Sequence, residues 1–194
     1  EDYRMEQIPL KGELINFSGT CLLQDSDGFM WFGSTDGLYR YDGTDSKRFL
    51  NDPLDKGSLL GHHIIGIVED SAKNLWIASR AGLSRYDKYS GKFEQHKVSK
   101  DAILSVVADN EGSIWIGTSN DGVFKLTVNT GKITNYTIPE FSDDVRPVEI
   151  KMLFMDSFGS LWIQFGDTGL CRFDCKSESF EQYINAPCLM RKFY

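Results

Sequence analysis

One sequence pattern occurs four times along the chain and constrains its fold more than any other feature. It reads DSDGFMWFGSTDGLYRYD from Asp25 and returns from Asp70, Asp109 and Asp156. Each copy has a tryptophan six residues after its aspartate, and the intervals between these tryptophans are 45, 39 and 47 residues. A period of about 40–50 residues is typical of proteins built from stacked structural repeats. The tryptophans of the protein are Trp31, Trp76, Trp115 and Trp162.

Each repeat predicts four short β-strands. A run of branched apolar residues precedes the aspartate, as in IIGIVE, and is typical of a strand buried on both faces. The tryptophan lies in the second strand, and polar and apolar residues alternate in the third. A turn such as YSGK or NTGK then leads to an outer fourth strand.

The aspartates are predicted to cap the turn between the first two strands by accepting hydrogen bonds from backbone N–H groups two residues on. These turn caps are Asp25, Asp70, Asp109 and Asp156. Gly28, Gly112 and Gly159 supply the positive φ that the turn needs. The second repeat has Lys73 at that place, so we expect the next residue, Asn74, to adopt the left-handed backbone.

A four-stranded unit with apolar groups on both faces cannot bury them alone. Stacking such sheets around an axis does bury them, which predicts an all-β fold, a β-propeller segment of about four four-stranded antiparallel blades. The tryptophans are then core residues between blades. Two positions after each tryptophan, the small residues Gly33, Ala78 and Gly117 leave room for a neighbouring indole or backbone, whereas the fourth repeat has the larger Gln164 there. We expect an N-terminal strand at residues 1–10 and blades at about 18–52, 63–99, 102–138 and 148–186, within a larger, seven-bladed propeller.

Charge and hydropathy exclude several classes of partner. The chain of 194 residues has 28 acidic and 21 basic residues, a net charge of −7 and no run of lysine or arginine, so we expect no nucleic acid partner. No apolar run approaches the roughly 18 residues that span a bilayer, and the start EDYRMEQIPL lacks a signal-peptide layout, so no membrane contact is expected within this segment. The disulfide state of Cys21, Cys171, Cys175 and Cys188 stays open.

The repeats resemble the two-component regulator propeller repeat: an aspartate, a glycine turn, Leu-Trp-Ile-Gly-Thr, then Gly-Leu and an aromatic-Asp strand end. The third copy, DNEGSIWIGTSNDGVFKL, matches this pattern most fully, whereas the second lacks the turn glycine and the fourth has QF in place of GT. The resemblance implies the periplasmic, extracytoplasmic sensor region of an inner-membrane hybrid two-component receptor of gut Bacteroidetes. It further implies an oligosaccharide ligand and a histidine kinase in the full-length receptor, which this segment lacks.

Ligand contacts are expected on one rim of the propeller, where the loops after the second strands meet the connections between blades. Two of these connections are long, FLNDPLDKGSLLGHH and IPEFSDDVRPVE. Polar residues there suit sugar hydroxyls, although most exposed polar loop residues in proteins are merely solvated. Arg80 and Gln164 stand out because both are larger and more polar than their counterparts in other repeats. The candidates are Thr35, Asp36, His63, Arg80, Asn120, Asp121, Arg146, Gln164 and Asp167.

No motif for catalysis, metal or cofactor binding is present, so the sequence predicts a non-enzymatic module without cofactor or metal. His62 and His63 are adjacent and His96 lies in an outer strand, which matches no ligand spacing. Two alternatives stay open: a scaffold for protein–protein interaction, and a metal-dependent lyase or lactonase that would have to use His62 or His63. Further partners are the remaining blades of the same receptor, or a second copy that associates through open blade faces. The ligand and the number of blades are left open.

Overall fold

The computed structural model describes residues 18–138, 149–166 and 169–185, and these residues form sixteen β-strands. The strands are β1 (Gly19–Gln24), β2 (Met30–Ser34), β3 (Gly37–Tyr41), β4 (Ser46–Phe49), β5 (Ile64–Glu69), β6 (Leu75–Ser79), β7 (Gly82–Asp87), β8 (Lys92–His96), β9 (Ile103–Ala108), β10 (Ser113–Thr118), β11 (Val123–Thr127), β12 (Lys132–Tyr136), β13 (Ile150–Met155), β14 (Ser160–Phe165), β15 (Gly169–Asp174) and β16 (Ser179–Asn185). The proposed strand at residues 1–10 lies outside the described residues.

Each group of four consecutive strands forms one antiparallel sheet in chain order, and we name these sheets blades 1 to 4. The inner strands β1, β5, β9 and β13 contact one another in that order, so the blades follow the chain around an axis. The all-β prediction of four four-stranded blades is confirmed. Within the described ranges, no helix is long and apolar enough to cross a membrane.

The hydrophobic core lies between blades, because both faces of each sheet carry apolar side chains. Trp31 of blade 1 stacks on Phe49 of its own outer strand, with ring centroids 5.8 Å apart. Its other neighbour is Tyr86 of blade 2, which meets the indole edge-on at 5.1 Å. Trp115 lies in the same way between Tyr136 and Phe173. The indole therefore bridges its own outer strand and the third strand of the next blade.

The small residues two positions after the tryptophans make room for the next blade. A Cβ on Gly33 would lie 2.7 Å from Cγ2 of Ile64, and a Cβ on Gly117 would lie 2.5 Å from Cγ2 of Ile150. Each isoleucine begins the inner strand of the following blade. No indole is among the nearest neighbours of these two positions, whereas an isoleucine side chain is at both. At Gly117 the Ile150 carbonyl oxygen would also lie 3.3 Å from such a Cβ, so the expected close approach of backbone holds there.

Apolar side chains remain exposed on the outer faces of blades 1 and 4. Leu22 is 68% exposed, and its neighbours Cys21 and Leu23 pack into the core between blades 1 and 2, so Leu22 points away from blade 2. Met152 and Phe154 are 58% and 61% exposed on the face of blade 4 that points away from blade 3. The row of four blades thus presents apolar surface at both of its ends.

Candidate functional site

Two rims of the propeller differ in what their side chains do. We call one the aspartate rim: it holds the turns between the first and second and between the third and fourth strands of each blade. The other, the loop rim, holds the turns between the second and third strands and the connections between blades.

On the loop rim the Arg80 N–H donates to the His63 carbonyl at 3.2 Å, and the Ile103 N–H donates to the Arg80 carbonyl at 3.3 Å. The Arg80 backbone is thus held between its own blade and the next.

On the aspartate rim, each repeat aspartate closes its turn and also binds the repeat's indole. In blade 1, Oδ1 of Asp25 accepts hydrogen bonds from the N–H groups of Asp27 at 3.0 Å and Phe29 at 2.9 Å. Its Oδ2 accepts from Trp31 Nε1 at 2.8 Å. The indole donor therefore has a charged acceptor although the Trp31 side chain is only 1% exposed.

The same indole bond recurs in every blade. The Nε1–Oδ2 distances are 2.9 Å for Trp76 with Asp70, 2.9 Å for Trp115 with Asp109 and 2.8 Å for Trp162 with Asp156. Trp76 and Trp115 are as buried as Trp31, whereas Trp162 is half-buried on the outer face of blade 4. Sequence reasoning assigned only backbone donors to the aspartates, and the available signal for the indole bond was the constant six-residue interval.

The turn of blade 2 corrects one expectation about its backbone. Lys73, at the glycine position of the other repeats, itself adopts the left-handed conformation with φ 65°, so the assignment of that conformation to Asn74 was wrong. Asn74 instead uses its side-chain amide to donate to both carboxylate oxygens of Asp70, at 3.1 and 2.9 Å. An extra hydrogen bond thus accompanies a backbone conformation that costs about 1–2 kcal/mol for a residue with a Cβ.

Polar groups on the aspartate rim also join neighbouring blades. Glu69 of blade 2 accepts from both the N–H and the hydroxyl of Ser26 in blade 1, at 3.0 and 2.9 Å. Lys88 forms ion pairs with Asp27 and Glu69. The hydrogen bond from Lys88 and its charge hold the pKa of Asp27 below the ordinary value of 3.8. These groups serve contacts between blades 1 and 2.

On the loop rim, the blade 1 candidates Asp36 and Thr35 are both exposed, and Asp36 also has partners within the blade. Asp36 forms an ion pair with Arg48 of β4 and accepts a hydrogen bond from the Ser34 hydroxyl. Thr35 is exposed. The Asp36 carboxylate therefore stabilises its own turn, although its side chain is also exposed.

Blade 2 places Arg80 and Ala81 where blade 1 has Thr35 and Asp36. Arg80 is exposed, and among the arginines that the structure describes it is the one without an ion pair, side-chain hydrogen bond or ring contact. The contacts of the other described arginines are Arg40 over the Phe29 ring, Arg48 with Asp36, Arg85 with Glu94 and Arg172 with Ser160. The guanidinium of Arg80 is thus available to a ligand.

The candidates of blades 3 and 4 are in mixed environments. Asn120 is exposed and donates only to the neighbouring Ser119 hydroxyl at 3.1 Å. Asp121 accepts from the Ser99 hydroxyl at 2.9 Å and so fastens the connection between blades 2 and 3. Gln164 is half-buried in β14, within the blade and not in a loop. Two further candidates, Arg146 and Asp167, lie outside the described residues.

The long connection between blades 1 and 2 lies along the outer edge of blade 2. The Gly57 carbonyl accepts from the Phe93 N–H of β8 at 2.8 Å, and the Ser58 carbonyl accepts from the Gln95 side chain at 3.0 Å. Leu59 is fully buried. The end of this connection, with exposed His62 and half-buried His63, reaches the loop rim beside Arg80.

No metal-type cluster is found in the part of the chain that the structure describes, where no three His, Cys, Asp or Glu residues are grouped to hold an ion. His96 packs on the Trp76 ring at 5.2 Å, in the position that Phe49 and Tyr136 occupy in blades 1 and 3. Cys171 is a free thiol, and burial raises its pKa to about 12, which keeps it protonated and unreactive.

Comparisons with known proteins agree with the repeat pattern. The family model for the two-component regulator propeller matches residues 13–36 and 97–120, so the resemblance of the repeats to this family is confirmed. A search of curated protein sequences finds no match.

Three solved structures illustrate the similarity in fold. The extracellular domain of a hybrid two-component system from B. thetaiotaomicron is 21% identical with a TM-score of 0.73, covering 87% of this chain and 25% of that chain. A second extracellular domain from B. thetaiotaomicron, of a one-component system, is 22% identical with a TM-score of 0.71, over 91% and 26% of the two chains. Virginiamycin B lyase from Staphylococcus aureus is 18% identical with a TM-score of 0.68, over 93% and 59%. At these identities the likeness shows the propeller fold, and this chain spans about a quarter of the first two structures.

Proposed function

We propose that this chain, which carries two-component regulator propeller repeats, forms part of the periplasmic ligand-sensing propeller of a hybrid two-component receptor in the inner membrane. Its ligand is an oligosaccharide that binds on the loop rim, and the histidine kinase belongs to another part of the receptor. The observation that carries the proposal is the combination of these repeats with a rim on which the polar side chains of Thr35, Arg80 and Asn120 are exposed.

The loop rim suits a ligand better than the aspartate rim does. On the aspartate rim, each repeat carboxylate already accepts two backbone N–H groups and an indole, as in Asp109 with Glu111, Ser113 and Trp115. A ligand there would have to compete with bonds that close the blades. On the loop rim, Thr35, Arg80 and Asn120 are exposed. Their polar groups can therefore bind a ligand without breaking a turn.

The backbone under these side chains is fixed, which favours binding of a polar ligand. Hydrogen bonds join Arg80 to His63 and to Ile103, and the Ser119 N–H donates to the Ala102 carbonyl at 3.0 Å. A prearranged set of polar groups loses less conformational freedom when a ligand binds. Guanidinium, hydroxyl and amide groups are donors and acceptors that match sugar hydroxyls.

The exposed faces of blades 1 and 4 support a second part of the proposal. Leu22, Met152 and Phe154 leave apolar area in water at both ends of the row of blades. Apolar patches on both ends favour contact with further blades of the same receptor, or with a second copy. Light scattering of the purified chain distinguishes these cases, because only pairing of the chain with itself doubles the mass.

Titration of the purified chain with a panel of neutral and acidic oligosaccharides tests the ligand proposal, with calorimetry as the readout. We expect at least one saccharide to bind, and Arg80→Ala to weaken binding. Lys176→Ala is the matched control, because it removes an exposed positive charge from the aspartate rim. Absence of binding by every saccharide, or equal losses in the two variants, would contradict a saccharide site on the loop rim.

A further inference from the structure

We infer that the sector of the loop rim between blades 2 and 3 recognises an acidic saccharide, one whose sugar carries a carboxylate or sulfate group, through the guanidinium of Arg80. The inference rests on the proposed sensor function and specifies the ligand class of its site. It starts from the distribution of charge on the two rims of a chain with net charge −7.

The turn of blade 2 reverses the charge that blade 1 carries at the same place. In blade 1 the turn residues are Thr35 and Asp36, and the Asp36 carboxylate lies against Arg48. In blade 2 they are Arg80 and Ala81, so a cation is present and the local carboxylate that could neutralise it is replaced by a methyl group. An unpaired cation can form an ion pair with an anionic ligand without first breaking an ion pair within the protein.

The adjoining connection adds two further cations. Lys97 and Lys100 are exposed in the segment between β8 and β9, which reaches the Arg80 backbone through the hydrogen bond from Ile103. Two carboxylates share this segment of the rim: Asp121, which accepts from the Ser99 hydroxyl, and half-buried Asp101. The sector therefore has three full positive charges against two negative ones, on a protein whose total is −7.

Arginine is the side chain that distinguishes an acidic from a neutral sugar. Its planar guanidinium places two N–H donors parallel, which fits both oxygens of a carboxylate or two oxygens of a sulfate. A hydroxymethyl group offers one oxygen and no charge, so it gains much less from the same fork. The fixed backbone of Arg80, held by His63 and Ile103, limits the positions that the fork can take.

The aspartate rim is less suited to such a site. Lys88 is already paired with Asp27 and Glu69 there, and the turns of this rim carry the repeat aspartates. An anionic ligand would be repelled there. The net negative charge of the chain repels anions in general, so a sector with more positive than negative charges is favoured as an anion site.

Calorimetric titration with chemically matched sugars tests the inference. One pair is short oligogalacturonates and their methyl esters, in which an added methyl group removes the charge of each carboxylate. The second pair is a sulfated lactose and lactose itself, which differ by one sulfate group on an otherwise neutral sugar. We expect an acidic member to bind and its neutral match to bind at least about tenfold more weakly, with affinity falling as salt concentration rises. The two pairs distinguish carboxylate from sulfate as the recognised group.

Variants locate the site. Arg80→Ala should weaken binding of the acidic sugar about tenfold or more, and Arg80→Lys should fall between it and the natural protein, because it keeps the charge and loses the fork. Lys100→Ala should have a smaller effect, and Lys176→Ala should have none. The circular dichroism spectrum of each variant checks that the exposed substitution leaves the fold intact.

The outcomes separate this inference from the sensor proposal. Binding of neutral sugars that is lost in Arg80→Ala would overturn the acidic specificity and leave the saccharide site standing. Acidic sugars that bind Arg80→Ala and Lys176→Ala equally well would overturn the assignment to this sector. If no sugar of either kind binds, the inference and the proposed function both fail.

Discussion

The bond between the repeat aspartate and the indole gives the sharpest test of what holds a blade together. In blade 3, Oδ1 of Asp109 accepts from the N–H groups of Glu111 at 2.9 Å and Ser113 at 2.8 Å, and Oδ2 accepts from Trp115 Nε1 at 2.9 Å. Asp109 is 8% exposed and Trp115 1% exposed, so water cannot replace a lost partner. The substitution to make is Asp109→Asn, which keeps the shape and removes the charge.

The expected cost follows from the donors and acceptors. The asparagine oxygen can still accept from the two backbone N–H groups, which turns its NH₂ group toward the Trp115 N–H. Two donors then face each other in a dry site. A hydrogen bond to a charged group contributes about 1.5–3 kcal/mol, and leaving a buried donor unpaired costs about 1–3 kcal/mol. We expect Asp109→Asn to lower the free energy of unfolding by about 2–4 kcal/mol.

A double-mutant cycle isolates the indole bond. Trp115→Phe removes the indole N–H and lowers stability because packing is lost. In the double variant the asparagine NH₂ no longer faces another donor, because the indole N–H is absent. The two substitutions together should therefore cost about 1–2 kcal/mol less than the sum of the single costs. The measurement is equilibrium unfolding in urea followed by far-ultraviolet circular dichroism, since fluorescence changes with the tryptophan itself.

The control is Asp45→Asn, which makes the same chemical change at an exposed aspartate in the β3–β4 turn. It should change the free energy of unfolding by less than about 0.5 kcal/mol. Costs in the cycle that add to within about 0.5 kcal/mol, or an Asp109→Asn cost no larger than that of Asp45→Asn, would refute the indole bond as the source of the effect.

Three further predictions concern the turns and the contacts between blades. Gly117→Ala should destabilise the protein by about 1–3 kcal/mol in urea unfolding, because its Cβ would lie 2.5 Å from Cγ2 of Ile150. Ile150→Ala should lower the free energy of unfolding less in the Gly117→Ala background than in the natural protein, because it removes the clash. Lys73→Gly should stabilise by about 0.5–1 kcal/mol, because φ is 65° there, whereas Gly28→Ala, with φ 91°, should destabilise. Hydrogen bonds, the strongest from the Ser160 N–H, hold the pKa of Asp156 below its ordinary value of 3.8, so the charged Asp156 stabilises the fold above that pH and this contribution is lost as the pH falls through the lowered pKa. The difference in stability between Asp156→Asn and the natural protein should therefore shrink in acid. Thermal unfolding from pH 6 to about pH 2 measures it, and a constant difference would count against the prediction.

Part of the candidate site was visible in the sequence. Arg80 stood out because the other repeats have a small or polar residue where it lies, and the structure leaves its guanidinium without a partner among the described residues. The engagement of Asp36 by Arg48 was not visible, since it joins the β2–β3 turn to the outer strand of the same blade. The long connection after Phe49 was expected to serve ligand binding, and nothing in the sequence indicated that Gly57 and Ser58 in it bond to β8.

The sequence by itself determined the set of structural elements. Alternation of polar and apolar residues predicted the strands, Asp and Gly predicted the turns, and a pattern that occurs four times predicted the blades. These signals are local, because hydrogen bonding in a turn and the direction of side chains in a strand depend on residues a few positions apart. Only the tertiary structure decided what fills the space beside Gly33 and which arginine stays free. Both depend on side chains from another strand or another blade, and the repeat pattern does not say which residues of two different repeats will meet.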